Sequence, residues 1–316
     1  MTKPKVLISD KMDPNAERIL KELGCEVDVI TGKTPEELKA MIGQYDGLAI
    51  RSATKVTREI LDAATNLKVI GRAGIGVDNV DIPYASAKGV VVMNTPFGNS
   101  ITTAEHAISL IMALARQVPT ADRRTQAGEW PKNDFMGVEV TGKTLGLIGA
   151  GNIGSIVASR ALGLRMKVVA YDPFVQPARA AQMGVKLLSL DELLEVSDFI
   201  TVHLPKTPET LGLIGDEALH KVKPSVRIVN AARGGIVDEA ALVAALAARR
   251  IAGAGLDVFD VEPLPAGHAL TTLDNVVLAP HLGWTTDDGY RRFAESAADV
   301  LLAYLDGREV PSFKGH

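Results

Sequence analysis

The glycines Gly149, Gly151 and Gly154 have the spacing of a loop that binds a dinucleotide. The first permits a tight turn, Gly151 lets the backbone approach a pyrophosphate, and the last allows a helix to pack closely on a strand. An apolar run, Thr144–Ile148, precedes the loop, and small and apolar residues at helical spacing follow it. We therefore predict that phosphates meet unpaired amide groups at the start of a helix.

An acidic residue, Asp172, follows the next apolar segment, Met166–Tyr171. A carboxylate at this place can accept hydrogen bonds from the adenosine ribose hydroxyls, and it repels a 2′-phosphate. Pro173 and Phe174 come next, so no arginine directly follows to bind such a phosphate. The sequence therefore predicts NAD rather than NADP as the cofactor. The alternative is a structural glycine turn with a surface aspartate.

Polar side chains also follow the later apolar segments, where parallel strands are expected to end. Because ligands of an open parallel sheet bind outside the carboxyl ends of its strands, these side chains are candidates for chemistry. They are His203, Asn230 with Arg233, Asp257 with Glu262, and His281. A polar residue at one strand end can serve merely to cap that strand. Four such residues on one edge of the sheet favour a ligand-binding or catalytic site.

Three of these residues suit a hydride transfer between a nicotinamide and a carbinol carbon. Arg233, in a glycine-rich turn, can hold a substrate carboxylate through two N–H groups. His281 can act as the acid/base group, because imidazoles titrate near neutral pH, and Glu262 can hold that imidazole in one tautomer. Each residue alone has a simpler interpretation: a surface ion pair for Arg233, a turn residue for Glu262 and a hydrogen-bonded strand end for His281.

Composition limits the alternatives. A chain of 316 residues is long for one core and fits two domains, and 47% hydrophobic but 4% aromatic residues suit helices on a parallel sheet. The net charge of -4 implies neither a nucleic acid nor an anionic membrane as partner. Cys25 is the only cysteine, and no apolar run is long enough to span a bilayer. We therefore expect a cytoplasmic protein.

The spacing of His, Cys, Asp and Glu predicts no metal site. We assign the remaining histidines to structure or solvent: His106, His220, His268 and His316.

The elements that must position these residues alternate between strand and helix patterns from Lys5 onwards, which predicts parallel sheets covered by helices. A long helix, apolar nearly all round, is expected to begin at Thr103 as its N-cap. After this helix we predict an exposed arm, Arg123–Asp134, with Trp130 as a subunit contact. Asp238 is a good N-cap for a later helix.

Several motifs, in their order along the chain, resemble those of the NAD-dependent D-2-hydroxyacid dehydrogenases. They are Gly71–Asn79, Asn94-Thr95-Pro96, the Gly149 loop, Ala231–Glu239, Leu256-Asp257-Val258-Phe259 and Pro280-His281-Leu282-Gly283. The resemblance covers nearly the whole chain. It implies two Rossmann-like or flavodoxin-like parallel-sheet domains with the active site in the cleft between them.

The same resemblance implies the domain boundaries and the assembly. Residues 1–98 with 287–316 would form the substrate-binding domain, and residues 99–286 the NAD-binding domain. The molecule would be a homodimer built on the NAD-binding domain, with a small 2-hydroxy or 2-keto acid as its other partner. It also implies the catalytic roles given above for Arg233, Glu262 and His281.

Further site residues are implied by matching positions. Those expected to contact NAD are Gly149, Gly151, Asn152, Ile153, Gly154, Asp172, Leu204, Ala231, Ala232, Arg233, Asp257, His281 and Gly283. Those expected to face the substrate are Arg51, Ser52, Arg72, Ala73, Gly74, Arg233 and His281.

Two segments, Arg51–Lys55 and Phe135-Met136-Gly137, look most like the family members that oxidise 3-phosphoglycerate, so this is the leading substrate. The arm around Lys132 has fewer basic residues than usual for a phosphate site, and a bulky Trp284 follows the His281 motif. Both departures favour a rival, a reductase for hydroxypyruvate or glyoxylate. A protein that only senses NAD is a third interpretation, which the three catalytic-type residues disfavour. We expect no serine feedback through a regulatory domain.

Overall fold

The computed structural model describes residues 3–74, 76–95, 98 and 100–305. Ile75 and Pro96, which belong to motifs quoted above, lie outside the described residues. The chain divides into two compact units. The first contains Met1–Asn99 and Thr285–His316, and the second contains Ser100–Trp284.

The first unit is a five-stranded sheet with helices. Its strands are β1 (Lys5–Ile8), β2 (Glu26–Val29), β3 (Gly47–Ile50), β4 (Val69–Arg72) and β5 (Val91–Asn94). Its first helices are α1 (Asn15–Glu22), α2 (Pro35–Met41), α3 (Arg58–Ala63) and α4 (Ile82–Ala87). All strand pairs are parallel, in the order β2-β1-β3-β4-β5, which is the flavodoxin-like order.

The second unit is a seven-stranded parallel sheet. Its strands are β6 (Thr144–Ile148), β7 (Lys167–Tyr171), β8 (Lys186–Leu187), β9 (Phe199–Val202), β10 (Arg227–Asn230), β11 (Gly253–Leu256) and β12 (Val276–Leu278). Its helices are α5 (Ser100–Arg116), α6 (Val118–Gln126), α7 (Asn152–Gly163), α8 (Pro177–Gln182), α9 (Leu190–Val196), α10 (Asp216–Lys221) and α11 (Glu239–Ala247). The strand order is β12-β11-β10-β9-β6-β7-β8, so the order reverses between β6 and β9. This is the Rossmann arrangement, and the predicted class of two parallel-sheet domains is confirmed.

The last helix, α12 (Asp287–Leu305), belongs to the first unit and completes its core. Ala294, Ala298 and Leu301 are buried against apolar residues of β1, β3 and β4. A Cβ at Gly71 on β4 would lie only 2.7 Å from the Leu301 side chain, so glycine is needed where the helix crosses the strand. The chain therefore leaves the first unit at β5 and returns to it at its end.

One prediction about the segment after the first unit was wrong. Helix α5 includes Ser100 and Thr103, so Thr103 is inside the helix and not its cap. The predicted arm is largely exposed, and its first residues, up to Gln126, belong to α6. Gln117 has a left-handed backbone (φ 54°), which separates the two helices, and Pro119 lies in the first turn of α6, where proline is favoured. The prediction that Asp238 caps α11 is confirmed, since its carboxylate accepts a hydrogen bond from the amide of Ala241.

Candidate active site

The glycine loop lies between β6 and α7, at the point where the strand order reverses. Gly149 has a left-handed backbone (φ 95°), and a Cβ there would lie 2.7 Å from the carbonyl oxygen of His203. A Cβ at Gly154 would lie 2.1 Å from the carbonyl oxygen of Gly149. Both glycines are therefore required by the protein's own backbone. They bring the start of α7 close to the ends of β6 and β9.

Gly151 differs from its two neighbours, because a Cβ there would meet nothing within 4 Å. It is the N-cap residue of α7, and within the described structure no side chain caps this helix. The amides of the first turn thus face open space that a side chain at residue 151 would enter. A pyrophosphate fits this place, since it needs amide donors and an uncovered backbone.

Asp172 follows β7 and closes the other side of the loop. Its Oδ2 accepts a hydrogen bond from the amide of Ala150 at 2.8 Å, and its Oδ1 accepts one from the amide of Phe174 at 2.9 Å. The carboxylate is thus held beside the glycine loop before it meets a ribose. Each oxygen keeps a further lone pair with which a ribose hydroxyl can bond.

His203, at the end of β9, is the one group near the loop whose pKa is clearly changed. Its Nε2 lies 3.0 Å from Oγ1 of Thr201, and its Nδ1 is shielded from solvent without a hydrogen-bond partner among the described residues. Burial lowers the pKa of the His203 imidazole to about 4, because the charged form loses its hydration. His203 is therefore neutral at physiological pH.

Glu262 and His281 form a pair at the edge where β11 and β12 end. The Nδ1 of His281 lies 2.7 Å from Oε2 of Glu262, and the other carboxylate oxygen accepts a hydrogen bond from the amide of Phe259 at 3.1 Å. The His281 side chain is 41% exposed and that of Glu262 is 36% exposed. The imidazole is thus accessible to a ligand, while its partner is fixed by the backbone.

Arg233 lies in the turn after β10, and the side chain of Asn230, the last residue of that strand, fixes this turn. The buried side chain of Asn230 accepts a hydrogen bond from the amide of Ala232 at 3.0 Å and donates one to the carbonyl of Arg233 at 2.9 Å. A Cβ at Gly234 would lie 1.9 Å from the carbonyl oxygen of Phe259. The Arg233 turn therefore contacts the same loop that fixes Glu262.

Asp257, which follows β11, is fully buried and binds the backbone directly after His281. Its Oδ1 accepts a hydrogen bond from the amide of Leu282 at 2.6 Å, and its Oδ2 accepts one from Gly283 at 2.7 Å. The hydroxyl of Thr103 donates to the carbonyl of Gly283 at 2.7 Å. The backbone after His281 is thus fixed by Thr103 of α5 and by Asp257, which follows β11.

The predicted substrate residues Arg51 and Ser52 lie in the first unit, on a loop after β3 that buried groups support. Asp10, which is 6% exposed, accepts hydrogen bonds from the amides of Arg51 and Thr54. Asn79 donates to the carbonyl oxygens of the same two residues, at 2.7 Å and 2.6 Å. Ser52 on this loop is exposed. The loop thus has a fixed conformation.

Arg51 stacks on Tyr290 of α12. The guanidinium carbon lies 4.6 Å from the centre of the ring, and Nη1 donates to the Tyr290 hydroxyl at 2.7 Å and to the carbonyl of Lys11 at 3.1 Å. Burial lowers the pKa of Arg51, and Tyr290 and Asp10 partly offset this. The orientation of the guanidinium is therefore set by an aromatic residue far along the chain.

Arg72, at the end of β4, approaches the backbone two residues further on. A Cβ at Gly74 (φ 147°) would lie 1.3 Å from Nη1 of Arg72, so glycine leaves room for the guanidinium. Ala73 is buried, and the amide of Gly74 donates to the hydroxyl of Thr95 at 2.8 Å. Arg72 and the Arg51 loop follow neighbouring strands of the same sheet.

Sequence reasoning overlooked several residues of this site. Thr103 was expected to be a cap and His106 a structural residue, yet both lie on the face of α5 that meets Asp257 and Gly283. Their spacing of three along a helix indicates one face, but nothing local indicates what that face contacts. No local sequence pattern indicates the supporting roles of Asp10, Asn79 and Tyr290, because their hydrogen-bond partners are distant in sequence.

The comparison with known proteins agrees with this geometry. The sequence model of the family described as D-isomer specific 2-hydroxyacid dehydrogenase, NAD binding domain, matches residues 108–283. This chain belongs to that family. The matched residues lie within the second unit, which contains the glycine loop, Asp172 and the Glu262–His281 pair.

Individual members of the family are similar over nearly the whole chain. The D-3-phosphoglycerate dehydrogenase of Archaeoglobus fulgidus is 51% identical over 97% of this chain and 58% of its own length. This chain therefore spans less than two thirds of that relative. A solved protein of Thermus thermophilus is 38% identical, with a TM-score of 0.90 over 98% of this chain and 99% of its own. A solved glyoxylate reductase from Paecilomyes thermophila is 29% identical, with a TM-score of 0.88 over 99% of this chain and 98% of its own.

Among the described residues, no group of three or more His, Cys, Asp or Glu side chains could hold a metal ion. In the described part of the chain, the helices are too short or too polar to cross a membrane.

Proposed function

We propose that this protein is an NAD-dependent oxidoreductase that interconverts a D-2-hydroxy acid and its 2-keto acid, with 3-phosphoglycerate and 3-phosphohydroxypyruvate as the leading pair. The observation that carries the proposal is the 2.7 Å contact between His281 and Glu262 at the edge of the NAD-binding sheet. An imidazole fixed by a carboxylate at one nitrogen presents the other nitrogen to a substrate.

Three residues of the chain would have separate roles in this reaction. NAD, when bound, would supply the hydride acceptor or donor, which is chemistry that no side chain of the protein provides. In the oxidative direction, neutral His281 removes the hydroxyl proton of the substrate as the carbon–oxygen double bond forms, and it returns that proton to the ketone oxygen in reverse. Arg233 binds the substrate carboxylate and holds the reacting carbon in place. Glu262 stabilises the imidazolium while it carries the proton.

The cofactor would be held by residues of the second unit. The pyrophosphate would bind at the amides around Gly151, Asn152 and Ile153, and the ribose at Asp172. The backbone at Leu204, Ala231 and Ala232 would complete the pocket. Arg51, Ser52 and Arg72 of the first unit, with the backbone at Ala73 and Gly74, would bind the anionic end of the substrate.

The similarity to the Archaeoglobus fulgidus enzyme supports a phosphorylated substrate, and so does the presence of Arg51 and Arg72. One observation favours the rival, a reductase for hydroxypyruvate or glyoxylate. On the predicted arm, Arg124 is bound to Glu129 at 2.6 Å and to Asp134 at 2.8 Å, so its charge is already neutralised. The arm also contains Arg123 at its start, and Lys132 is the one basic residue of the sequence between Trp130 and Phe135.

Steady-state kinetics with NADH separate the two substrates. We expect kcat/KM for 3-phosphohydroxypyruvate to exceed that for hydroxypyruvate and for glyoxylate by at least about tenfold, since a site built for a phosphate loses its charge pairing with the shorter acids. A preference for either unphosphorylated acid would establish the rival. No turnover of any 2-keto acid would contradict both.

We also propose that the protein is a cytoplasmic homodimer assembled through the second unit. Large apolar side chains are exposed between α5 and β6: Val118 is 55% exposed, Trp130 82% and Met136 84%. Side chains of this kind are enriched at interfaces between subunits. Light scattering coupled to size-exclusion chromatography should give a dimer for the wild type and more monomer for Trp130→Glu. A wild-type monomer would contradict the assembly but not the enzyme activity.

A further inference from the structure

The catalytic histidine has an unfavourable backbone conformation. His281 has φ 56°, in the left-handed region that a residue with a side chain rarely adopts. Such a conformation costs on the order of 1 kcal/mol or more and persists only where the surroundings enforce it. The described contacts of the next two residues identify what enforces it.

Two side chains hold the turn formed by His281, Leu282 and Gly283. Asp257 accepts hydrogen bonds from the amides of the last two residues, and the hydroxyl of Thr103 donates to the carbonyl of Gly283. Thr103 is 5% exposed and Asp257 is fully buried, so these bonds are protected from water. Buried hydrogen bonds of this kind fix geometry strongly, because breaking one leaves an unsatisfied polar group.

His106 lies one turn after Thr103 on the same face of α5. Its Nε2 is 3.2 Å from Oδ1 of Asp257, although the two groups are not aligned for a hydrogen bond. The His106 side chain is 19% exposed and that of Asp257 is 1% exposed. The ring of His106 is thus a polar neighbour of a buried carboxylate, and polar neighbours reduce the cost of burying such a group.

We propose that Thr103, His106 and Asp257 are positioning residues that hold the His281–Gly283 turn, so that the imidazole of His281 faces Glu262 before any ligand binds. The inference deepens the proposed function, on which its kinetic test rests. For Asp257, this role is additional to the nicotinamide contact implied by the family resemblance, because each of its oxygens accepts a hydrogen bond from an amide of the turn.

Thr103 offers the sharpest test, because it touches the turn and is not expected to touch cofactor or substrate. Thr103→Val removes the hydroxyl and keeps the volume, whereas Thr103→Ser keeps the hydroxyl and removes a methyl group. We expect Thr103→Val to lower kcat about tenfold or more, since small misplacement of a catalytic group is costly, while the Kd for NADH stays within about twofold. Thr103→Ser should retain most of the wild-type kcat.

A stability measurement and a spectroscopic one accompany the kinetics. If Thr103→Val lowers the thermal midpoint but leaves kcat at the wild-type value, the residue is only structural and the inference is overturned. The ring 15N chemical shifts of His281, which report its bond to Glu262, should change in Thr103→Val and not in Thr103→Ser. This holds whether or not the protein turns over a given keto acid. An inactive wild type would thus refute the proposed function, while unchanged ring shifts in Thr103→Val would refute the positioning role.

A second pair of variants examines His106. His106→Gln can place an amide nitrogen near the position of Nε2, whereas His106→Leu removes every polar atom beside Asp257. We expect His106→Leu to lower kcat by about fivefold or more and His106→Gln by less, with NADH binding preserved in both. Equal kcat for the two variants and the wild type would remove His106 from the set.

Discussion

The Nδ1 atom of His281 is bound to Oε2 of Glu262 at 2.7 Å, while Oε1 of the same carboxylate is bound to the amide of Phe259. One carboxylate thus connects the imidazole to the backbone of the neighbouring loop. The tautomer with a proton on Nδ1 follows from this bond, and Nε2 is then the nitrogen that exchanges a proton with substrate.

His281→Ala should reduce kcat by about a thousandfold, because general acid/base groups contribute factors of this order. The Kd for NADH, measured by fluorescence titration, should change by less than about threefold. Glu262→Gln keeps a hydrogen-bonding side chain of the same size and should cost less, about tenfold to a hundredfold. Substantial turnover by His281→Ala would exclude this residue as the acid/base group.

Asp172→Ala should change cofactor preference and weaken cofactor binding together. Removing the carboxylate takes away the repulsion of a 2′-phosphate, so the ratio of kcat/KM for NADPH to that for NADH should rise by about tenfold or more. The glycine loop also loses the bond at Ala150, so NADH should bind less tightly. An unaltered ratio would show that Asp172 does not contact the ribose.

Gly154→Ala should lower the stability of the protein, whereas Gly151→Ala should weaken its binding of NADH. A methyl group at residue 154 meets the carbonyl oxygen of Gly149, so this variant should lose more than about 2 kcal/mol of stability. A methyl group at residue 151 meets nothing in the protein, so the thermal midpoint should be kept while the Kd for NADH rises by about tenfold or more.

Gly163→Ala, in open space at the end of α7, is the matched control and should leave both stability and NADH binding intact or slightly improved. If Gly151→Ala bound NADH as the control does, the pyrophosphate would have to lie elsewhere.

Tyr290→Phe should raise KM for the keto acid several-fold with little change in kcat. The ring that stacks on Arg51 is retained, but the hydroxyl that fixes its guanidinium is lost. Tyr290→Leu, which removes both contacts, should raise KM further. A KM unchanged in both variants would argue against Arg51 as a substrate residue.

Stability should fall in acid because of His203. Its folded pKa of about 4 lies below the ordinary value of 6.5, so the unfolded chain takes up a proton that the folded protein does not. The contribution is fully present above pH 6.5 and decreases as the pH falls towards 4, by up to about 3 kcal/mol.

His203→Gln cannot titrate and should flatten this part of the curve, which urea unfolding midpoints at pH 7, 5.5 and 4.5 will show. Parallel curves for the two proteins would mean that another group causes the acid sensitivity.

Much of the fold could be predicted because its signals are local. Apolar runs followed by Gly149, His203, Asn230 and Asp257 mark strands and their ends, and the glycine spacing marks the turn into α7. The start of α5 could not be predicted in the same way. Thr103 resembles a cap by its residue type, but its hydroxyl binds Gly283, and no short window of sequence contains both residues.

The same difference between local signals and contacts of distant residues applies to the candidate site. Residues with exposed chemistry, such as Arg233, Glu262 and His281, were recognisable from their types and their places after strands. The residues that support Arg51 and its loop, which include Asp10, Asn79 and Tyr290, act through bonds between distant parts of the chain. Helix α6 is a different case, since Pro119 after Val118 was an available signal for its first turn.

The bond between Thr103 and Gly283 joins points near the first and the last residue of the second unit. The unit therefore begins and ends at one place, as an insertion into the first unit does. A segment with adjacent ends can be grafted into a loop of a foreign protein, or circularly permuted, without stretching its chain. We therefore expect that residues 100–284 can be transferred as one unit, whose ends carry the residues that hold the His281–Gly283 turn.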